Sequence, residues 1–191
     1  LWLLEEMKSF YDVDYQLEKV DFAVPGSSFF NQKTPSGKIP VLEDGDIQIF
    51  ESGAIIEYLL EEIDRDQHFS PRIHSRNRAA FLQWMHYAEG TLATPLSTLL
   101  WHLVYKKDAQ QLPEVITDAK TRAVASLEPI ESSLLSEHYL LGKNFSAADI
   151  MLGFTIGSAK LLGVFDSRFP RLTRYLERLQ SRPAFQTATS I

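Results

Sequence analysis

The residues of this chain whose types and spacing could do chemistry crowd into one stretch, Asn31 to Leu60, which reads NQKTPSGKIPVLEDGDIQIFESGAIIEYLL. Within it, Glu51-Ser52 stands directly before a run of helical spacing. The unpaired first-turn amides and the positive dipole end of such a helix form an anion site, with a hydroxyl and a carboxylate beside it. The same pair is also simply a good helix start. Upstream, Lys38-Ile39-Pro40 opens a strand-like run. Lys38 is either a counter-charge for an anionic ligand or a solvated surface charge. Pro40 makes an X-Pro bond, the only kind of peptide that adopts cis at modest cost, although trans is the commoner state. Elsewhere the candidates thin out. His68, His74, His86, His102 and His138 show no HExxH or similar metal spacing. Tyr87, Trp101 and Tyr105 recur along a helical pattern and could wall an apolar pocket, or belong to a core or an interface.

Composition narrows the partners. The chain has 191 residues, 45% hydrophobic and 23% charged, the profile of an ordinary globular protein able to bury a substantial core. It has no cysteine, which removes disulfides and thiolate metal ligation from these residues. No apolar run reaches the roughly 18 residues of a membrane span. No secretory pattern opens the chain, so a cytoplasmic location is expected. The net charge of -6 is unevenly spread: residues up to Asp66 hold 15 acidic and 5 basic side chains, the remainder 10 and 14. Such an acidic first part speaks against nucleic acid, whose phosphates need clustered Lys and Arg.

The elements that must position the candidates follow from periodicity. Residues 1 to about 10 have helical spacing and open as though inside a helix, with neither Met nor cap, so an upstream segment is expected. Val13 to Glu18 alternates apolar and polar, which predicts a half-buried strand. Phe22 to Gly37 is loop-like, with room for one short helix. Pro40–Glu43 and Ile47–Phe50 predict two strands joined at Asp44-Gly45-Asp46, a hairpin signal because Gly accepts the positive φ of a tight turn. Gly53 to Ile63 predicts a helix with Ile55, Ile56, Leu59 and Leu60 inward, and Asp64 to Arg72 a linker. Beyond it the strand signals stop. A long helix is predicted over Ile73 to Tyr105, kinked at Pro95, which lacks an N–H. A connector over Lys106 to Pro113, a helix over Glu114 to Glu137 and a last one over Arg171 to Gln180 complete the set. Between these last two, Phe145-Ser146-Ala147-Ala148-Asp149-Ile150 is a capping box with a hydrophobic staple. The helix it starts is apolar nearly all round and predicted buried, with Gly153 and Gly157 admitting a close neighbour.

The ordered set Gly37-Lys38-Ile39-Pro40-Val41-Leu42, Asp44-Gly45 and Glu51-Ser52-Gly53-Ala54-Ile55-Ile56-Glu57-Tyr58-Leu59 resembles the glutathione transferase superfamily. Leu1 to Glu6 looks like that family's first helix, Phe145 to Asp149 its buried capping box, and Arg182-Pro183-Ala184 its C-terminal signature. Trp84 to Leu92 looks like the Gtt-one-like fungal and bacterial branch. The resemblance implies an α/β thioredoxin-like N-terminal domain over residues 1–66, lacking its first strand, and an all-α domain over residues 73–191. It implies glutathione as co-substrate, with no metal or other cofactor. Ile39 would sit before a cis Pro40 and bind the cysteinyl backbone of glutathione as an added strand. Ser52 would take the γ-glutamyl carboxylate, Glu51 the ammonium, and Lys38 an anionic pole. The thiol-activating Tyr, Ser or Cys is expected before Leu1, so no catalytic residue is assigned. The implied activity is conjugation of the thiolate to hydrophobic electrophiles, or peroxide reduction, in a homodimer. The alternative is a noncatalytic glutathione-binding or protein-interaction module.

Overall fold

The leucine-rich start of the chain buries Trp2, Leu3 and Met7 on one face of α1 (Trp2–Met7). In this computed structural model, which describes residues 1–19, 36–105, 112–134 and 138–190, that face also carries a buried carboxylate. Glu6 accepts from the Trp2 indole N–H at 2.9 Å and from Arg182 Nε and Nη2 at 2.6 and 2.8 Å. The Arg182 guanidinium lies 3.7 Å from the centroid of the Phe145 ring. Two charges and a stacked ring thus tie the first helix to the end of the chain. A buried pair of this kind does more to fix register than to add stability.

The alternating segment after α1 keeps its alternation but forms no strand. Tyr11, Val13 and Tyr15 are half-buried, while Asp12, Asp14 and Gln16 are exposed. No strand among the described residues pairs with it, and a ladder needs a partner, so the predicted strand at Val13–Glu18 is not seen. Side-chain anchors hold the segment instead: the Tyr15 hydroxyl donates to Glu5, and the Tyr11 hydroxyl donates to Asp64 at 2.8 Å. The loop or helix expected from Phe22 falls almost wholly outside the described residues, as does most of the expected connector after Tyr105 and the last turn predicted up to Glu137.

The hairpin forms as its sequence requires. Strands β1 (Val41–Asp44) and β2 (Ile47–Phe50) pair antiparallel, with Val41 opposite Phe50 and Asp44 opposite Ile47. That leaves a two-residue loop whose Gly45 has φ +57°, a value other residues resist. Helix α2 (Ser52–Glu62) follows with Ile55, Ile56, Leu59 and Leu60 buried, as their spacing predicts. The Tyr58 hydroxyl donates to Asp44 Oδ2 at 2.9 Å and fixes α2 to the hairpin turn. Past α2, the buried carboxylate of Asp64 accepts from Tyr11 Oη and from the amides of His68 and Phe69, which shapes the crossing into the helical part.

The long predicted helix starts at Arg78 rather than Ile73. His74 adopts φ +68°, and two successive turns close through Ser75, whose N–H donates to Arg72 O and whose carbonyl accepts from the Arg78 N–H. Helix α3 (Arg78–Tyr87) then runs through a π-helical turn, Ala88–Ala93, into α4 (Thr94–Leu100), and a second π-helical turn spans Trp101–Tyr105. The wide turn ahead of Pro95 accommodates the missing N–H. The Thr94 hydroxyl supplies a proton there, donating to Gly90 O at 3.3 Å. Helix α5 (Pro113–Ser133) packs on α4.

Helix α6 (Ala147–Leu161) begins at the predicted capping box, and α7 (Pro170–Gln180) and α8 (Pro183–Thr189) close the fold. Of the two glycines expected to admit a neighbour, only Gly153 does so: a Cβ there would stand 2.7 Å from Leu179 Cδ1 and 3.2 Å from the Trp2 ring. At Gly157 nothing lies within 4 Å of that position. Because Leu179 is fully buried, Gly153→Ala should cost about 2 kcal/mol by overpacking. Urea unfolding tests this, and Gly157→Ala should be neutral or stabilising. One contiguous core runs from Trp2 and Leu59 through Phe81 and Leu127 to Leu179.

Candidate functional site

The hairpin register brings the two halves of the candidate set together. With Val41 opposite Phe50, the next step outward sets Pro40 beside Glu51, at the point where β2 turns into α2. The Ile39–Pro40 peptide is cis, as the resemblance implied. Ile39 is 46% exposed, and Lys38 and Pro40 are exposed beside it. Lys38, Ile39 and Pro40 therefore stand exposed next to the start of α2.

Glu51 holds a conformation that most residues avoid. Its φ of 73° and ψ of 116° lie outside the regions open to a side chain with a Cβ, a strain of about 1–3 kcal/mol. It is the N-cap residue of α2, yet its carboxylate makes no capping hydrogen bond. Its backbone carbonyl accepts from the Ile55 N–H at 2.9 Å, while its side chain is exposed. The amides of the first turn thus keep their polarity for another acceptor. Behind them, the Met151 methyl group lies 3.9 Å from the position of a Cβ on Gly53, so α6 backs the α2 N-terminus.

Ser52 has a partner that sequence reasoning did not single out. Its hydroxyl donates to Glu89 Oε1 at 3.0 Å, across to the first π-helical turn of the long helical segment. Two exposed carboxylates, Glu51 and Glu89, therefore flank a hydroxyl and a helix N-terminus. This arrangement suits a ligand carrying an ammonium beside a carboxylate: the anion meets the amides and Ser52, the cation meets the two acids. The only signal for Glu89 in the sequence is an acid next to Gly90 inside an otherwise helical run. Among the described residues, no group of His, Asp and Glu could hold a metal ion.

The three aromatic candidates lie along the long helical segment that also carries Glu89. The Tyr87 hydroxyl donates to Ser126 O at 3.1 Å, and its ring packs edge-on against Trp84. It lines a cleft of about 480 Å³ between the long segment and α5, together with Pro95 and Arg122. Trp101 and Tyr105 are 56% and 61% exposed at the far end of that segment. A further exposed apolar surface comes from α6. That helix was expected to be buried all round, yet Phe154, one turn on from Met151, is 73% exposed and Leu161 is 90% exposed. The two are seven residues apart and share a face, which is not the buried face that carries Met151.

Comparison with known proteins agrees with this architecture. Residues 1–61 match the family model described as Glutathione S-transferase, N-terminal domain, and residues 113–178 match its C-terminal domain. The chain is 31% identical to the glutathione S-transferase-like protein OpS6 of Beauveria bassiana, over 95% of this chain and 84% of that protein. It is 26% identical to glutathione S-transferase 3 of Schizosaccharomyces pombe, over 98% and 80%. The solved glutathione transferase URE2P6 of Phanerochaete chrysosporium, in complex with oxidised glutathione, superposes with a TM-score of 0.85 at 25% identity, covering 99% of this chain and 87% of that one. An α/β thioredoxin-like unit followed by an all-helical one, with the hairpin joined to α2 at Glu51-Ser52, places this chain in the glutathione transferase superfamily.

Proposed function

We propose that the chain binds glutathione at the junction of Ile39–Pro40 with the start of α2, and that it serves glutathione conjugation to apolar electrophiles. The observation that carries this reading is the open N-terminus of α2, flanked by Glu51 and Glu89 with Ser52 between them. The γ-glutamyl end of glutathione is an ammonium beside a carboxylate, which matches that set in charge. The cysteinyl backbone then pairs with Ile39, and Lys38 faces an anionic pole of the ligand. In this reading, residues 1–66 form the glutathione-binding domain and residues 73–191 form the helical domain. Glutathione peroxidase chemistry uses the same bound thiolate. The setting is cytoplasmic, where glutathione is kept reduced.

Calorimetric titration with glutathione tests the reading: one site per chain is expected, and absence of heat at millimolar ligand overturns it. Glu89→Gln should weaken binding about tenfold, since a hydrogen bond to a charged group contributes about 1.5 kcal/mol or more. In this reading an apolar second substrate lies against the exposed Phe154 of α6. Phe154→Ser should raise the KM for an activated aryl chloride several-fold and leave the glutathione Kd unchanged. Tyr87, Trp101 and Tyr105 are placed in this reading at the outer rim of the electrophile pocket or in a homodimer interface. Sedimentation at micromolar concentration separates a homodimer from a monomer.

A further inference from the structure

Between Asp66 and Glu89 the chain runs for 22 residues without a carboxylate, and Arg72, Arg76 and Arg78 lie in that stretch. In a molecule of net charge -6 this is a local reversal of sign. The structure folds the three arginines into a double turn ahead of α3. The Ser75 N–H donates to Arg72 O at 3.0 Å, and the Arg78 N–H donates to Ser75 O at 3.1 Å. Ile73 and His74 therefore form the tip of the first turn, and Arg76 and Asn77 the tip of the second. His74 holds φ +68°, the left-handed value that a type II turn requires at its third residue.

The tip sets an apolar side chain among cations that no ion pair offsets. Ile73 is 69% exposed, and Arg72, His74 and Arg76 are exposed beside it in the chain. Neither Arg72 nor Arg76 forms an ion pair among the described residues. Arg78 anchors the base instead, its guanidinium 5.1 Å from the centroid of the Phe81 ring. The buried carboxylate of Asp64 faces inward, to Tyr11 Oη and the His68 and Phe69 amides. The nearest exposed carboxylate along the chain is Asp66, six residues before Arg72. The surface next to the turn shares Pro71 and Asn77 with it, adds Lys143, and has no carboxylate in its lining. Lys143 is exposed and likewise makes no ion pair among the described residues.

We infer that this double turn docks the protein onto an anionic lipid bilayer. Ile73 enters the headgroup layer, and Arg72, Arg76 and Lys143 meet the phosphate and carboxylate groups around it. Charge selects an anionic surface, and shape selects a bilayer. A single aliphatic side chain on a convex tip buries little area against a rigid protein face, whereas a fluid headgroup layer closes around it. The acidic residues up to Asp66 are repelled by such a surface, which favours one orientation. From the turn, α3 and the residues after it lead to Glu89, 11 residues or about 16 Å of helix away. The docking turn is thus separate from the candidate site, and it does not depend on the glutathione reading.

Because the chain has no cysteine, Ile73→Cys takes a single environment-sensitive fluorophore. With millimolar vesicles of phosphatidylcholine and about 30% phosphatidylserine, its emission should shift to the blue. Pure phosphatidylcholine should give no shift, and high salt should abolish the first one. The same label at Leu161→Cys, a position 90% exposed on α6, should stay unchanged. In cosedimentation of the unlabelled full chain, Arg72→Glu with Arg76→Glu should weaken vesicle binding at least tenfold, since each basic charge near the surface contributes about fivefold. Ile73→Ser should weaken it several-fold. No binding to the anionic vesicles overturns the proposal. So does equal binding to both kinds of vesicle, a shift at Leu161 without one at Ile73, or undiminished binding by the double Glu variant. A shift with poly-glutamate but not with vesicles assigns the turn to an acidic protein and overturns it as well. Should the double Glu variant lower the melting temperature, the labels alone decide.

Discussion

Asp149→Ala should destabilise the protein by about 4 kcal/mol, the largest effect expected of any single substitution outside the candidate site. The Asp149 side chain is fully buried and accepts four hydrogen bonds: from the Ser146 amide at 2.8 Å, the Ser146 hydroxyl at 3.0 Å, the Leu140 amide at 2.9 Å and the Tyr175 hydroxyl at 2.8 Å. Truncation orphans at least three buried donors, each costing about 1–3 kcal/mol. Much of the helical half depends on them, because Leu140 belongs to the preceding loop and Tyr175 to α7. Asp149→Asn keeps an acceptor and should cost about half as much. Pairing Asp149→Ala with Tyr175→Phe should recover part of the loss, since the second change removes one orphan. Denaturant unfolding reads all three, and a loss below 1 kcal/mol for Asp149→Ala would remove the capping box from its central place.

The protonation of Asp149 adds a signed consequence. Burial outweighs the four donors and holds its carboxyl above the usual carboxylate range. The native site therefore binds the proton more tightly than the unfolded chain does. The contribution of this group to stability rises as pH falls through that range, the reverse of an ordinary ion-paired acid. Mild acid alone should leave this helix start intact.

How much of this was legible beforehand depended on whether the cause was local. The hairpin, α2 and the capping box are each specified within a few residues, by Asp44-Gly45, by the Ile55 to Leu60 spacing and by Ser146 to Asp149, and all three appear where their signals stand. Val13 to Glu18 carries a strand pattern, but a strand is completed by a neighbour, which no local pattern supplies. The onset of the long helix moved to Arg78 because His74 takes a left-handed turn that nothing in Ile73-His74-Ser75 announces. Pro95 correctly marked a disturbance, although the chain met it with a widened turn ahead of the proline. The candidate site was legible in its local half, Lys38 to Ser52. Glu89 lies 37 residues from Ser52 along the chain, so its nearness is a property of packing alone.

The remaining large effect sets stability against binding at Glu51. Glu51→Ala together with Ser52→Ala should weaken glutathione at least 100-fold. Two hydrogen bonds to charged groups are lost, each contributing about 1.5–3 kcal/mol, and every 1.4 kcal/mol is tenfold in Kd. Affinity loss alone could also follow from damage to the fold, so Glu51→Gly separates the causes. Glycine adopts the observed φ of 73° freely, and relief of about 1–3 kcal/mol of strain exceeds the added backbone entropy of about 0.5–1 kcal/mol. The glycine variant should therefore be about 1 kcal/mol more stable in urea while binding glutathione about tenfold more weakly. Opposite signs in the two measurements are what a residue held in strain for a ligand requires. If the variant were less stable and bound glutathione as well as the parent, Glu51 would be a structural residue, and the anion site would rest on Ser52 and the α2 amides.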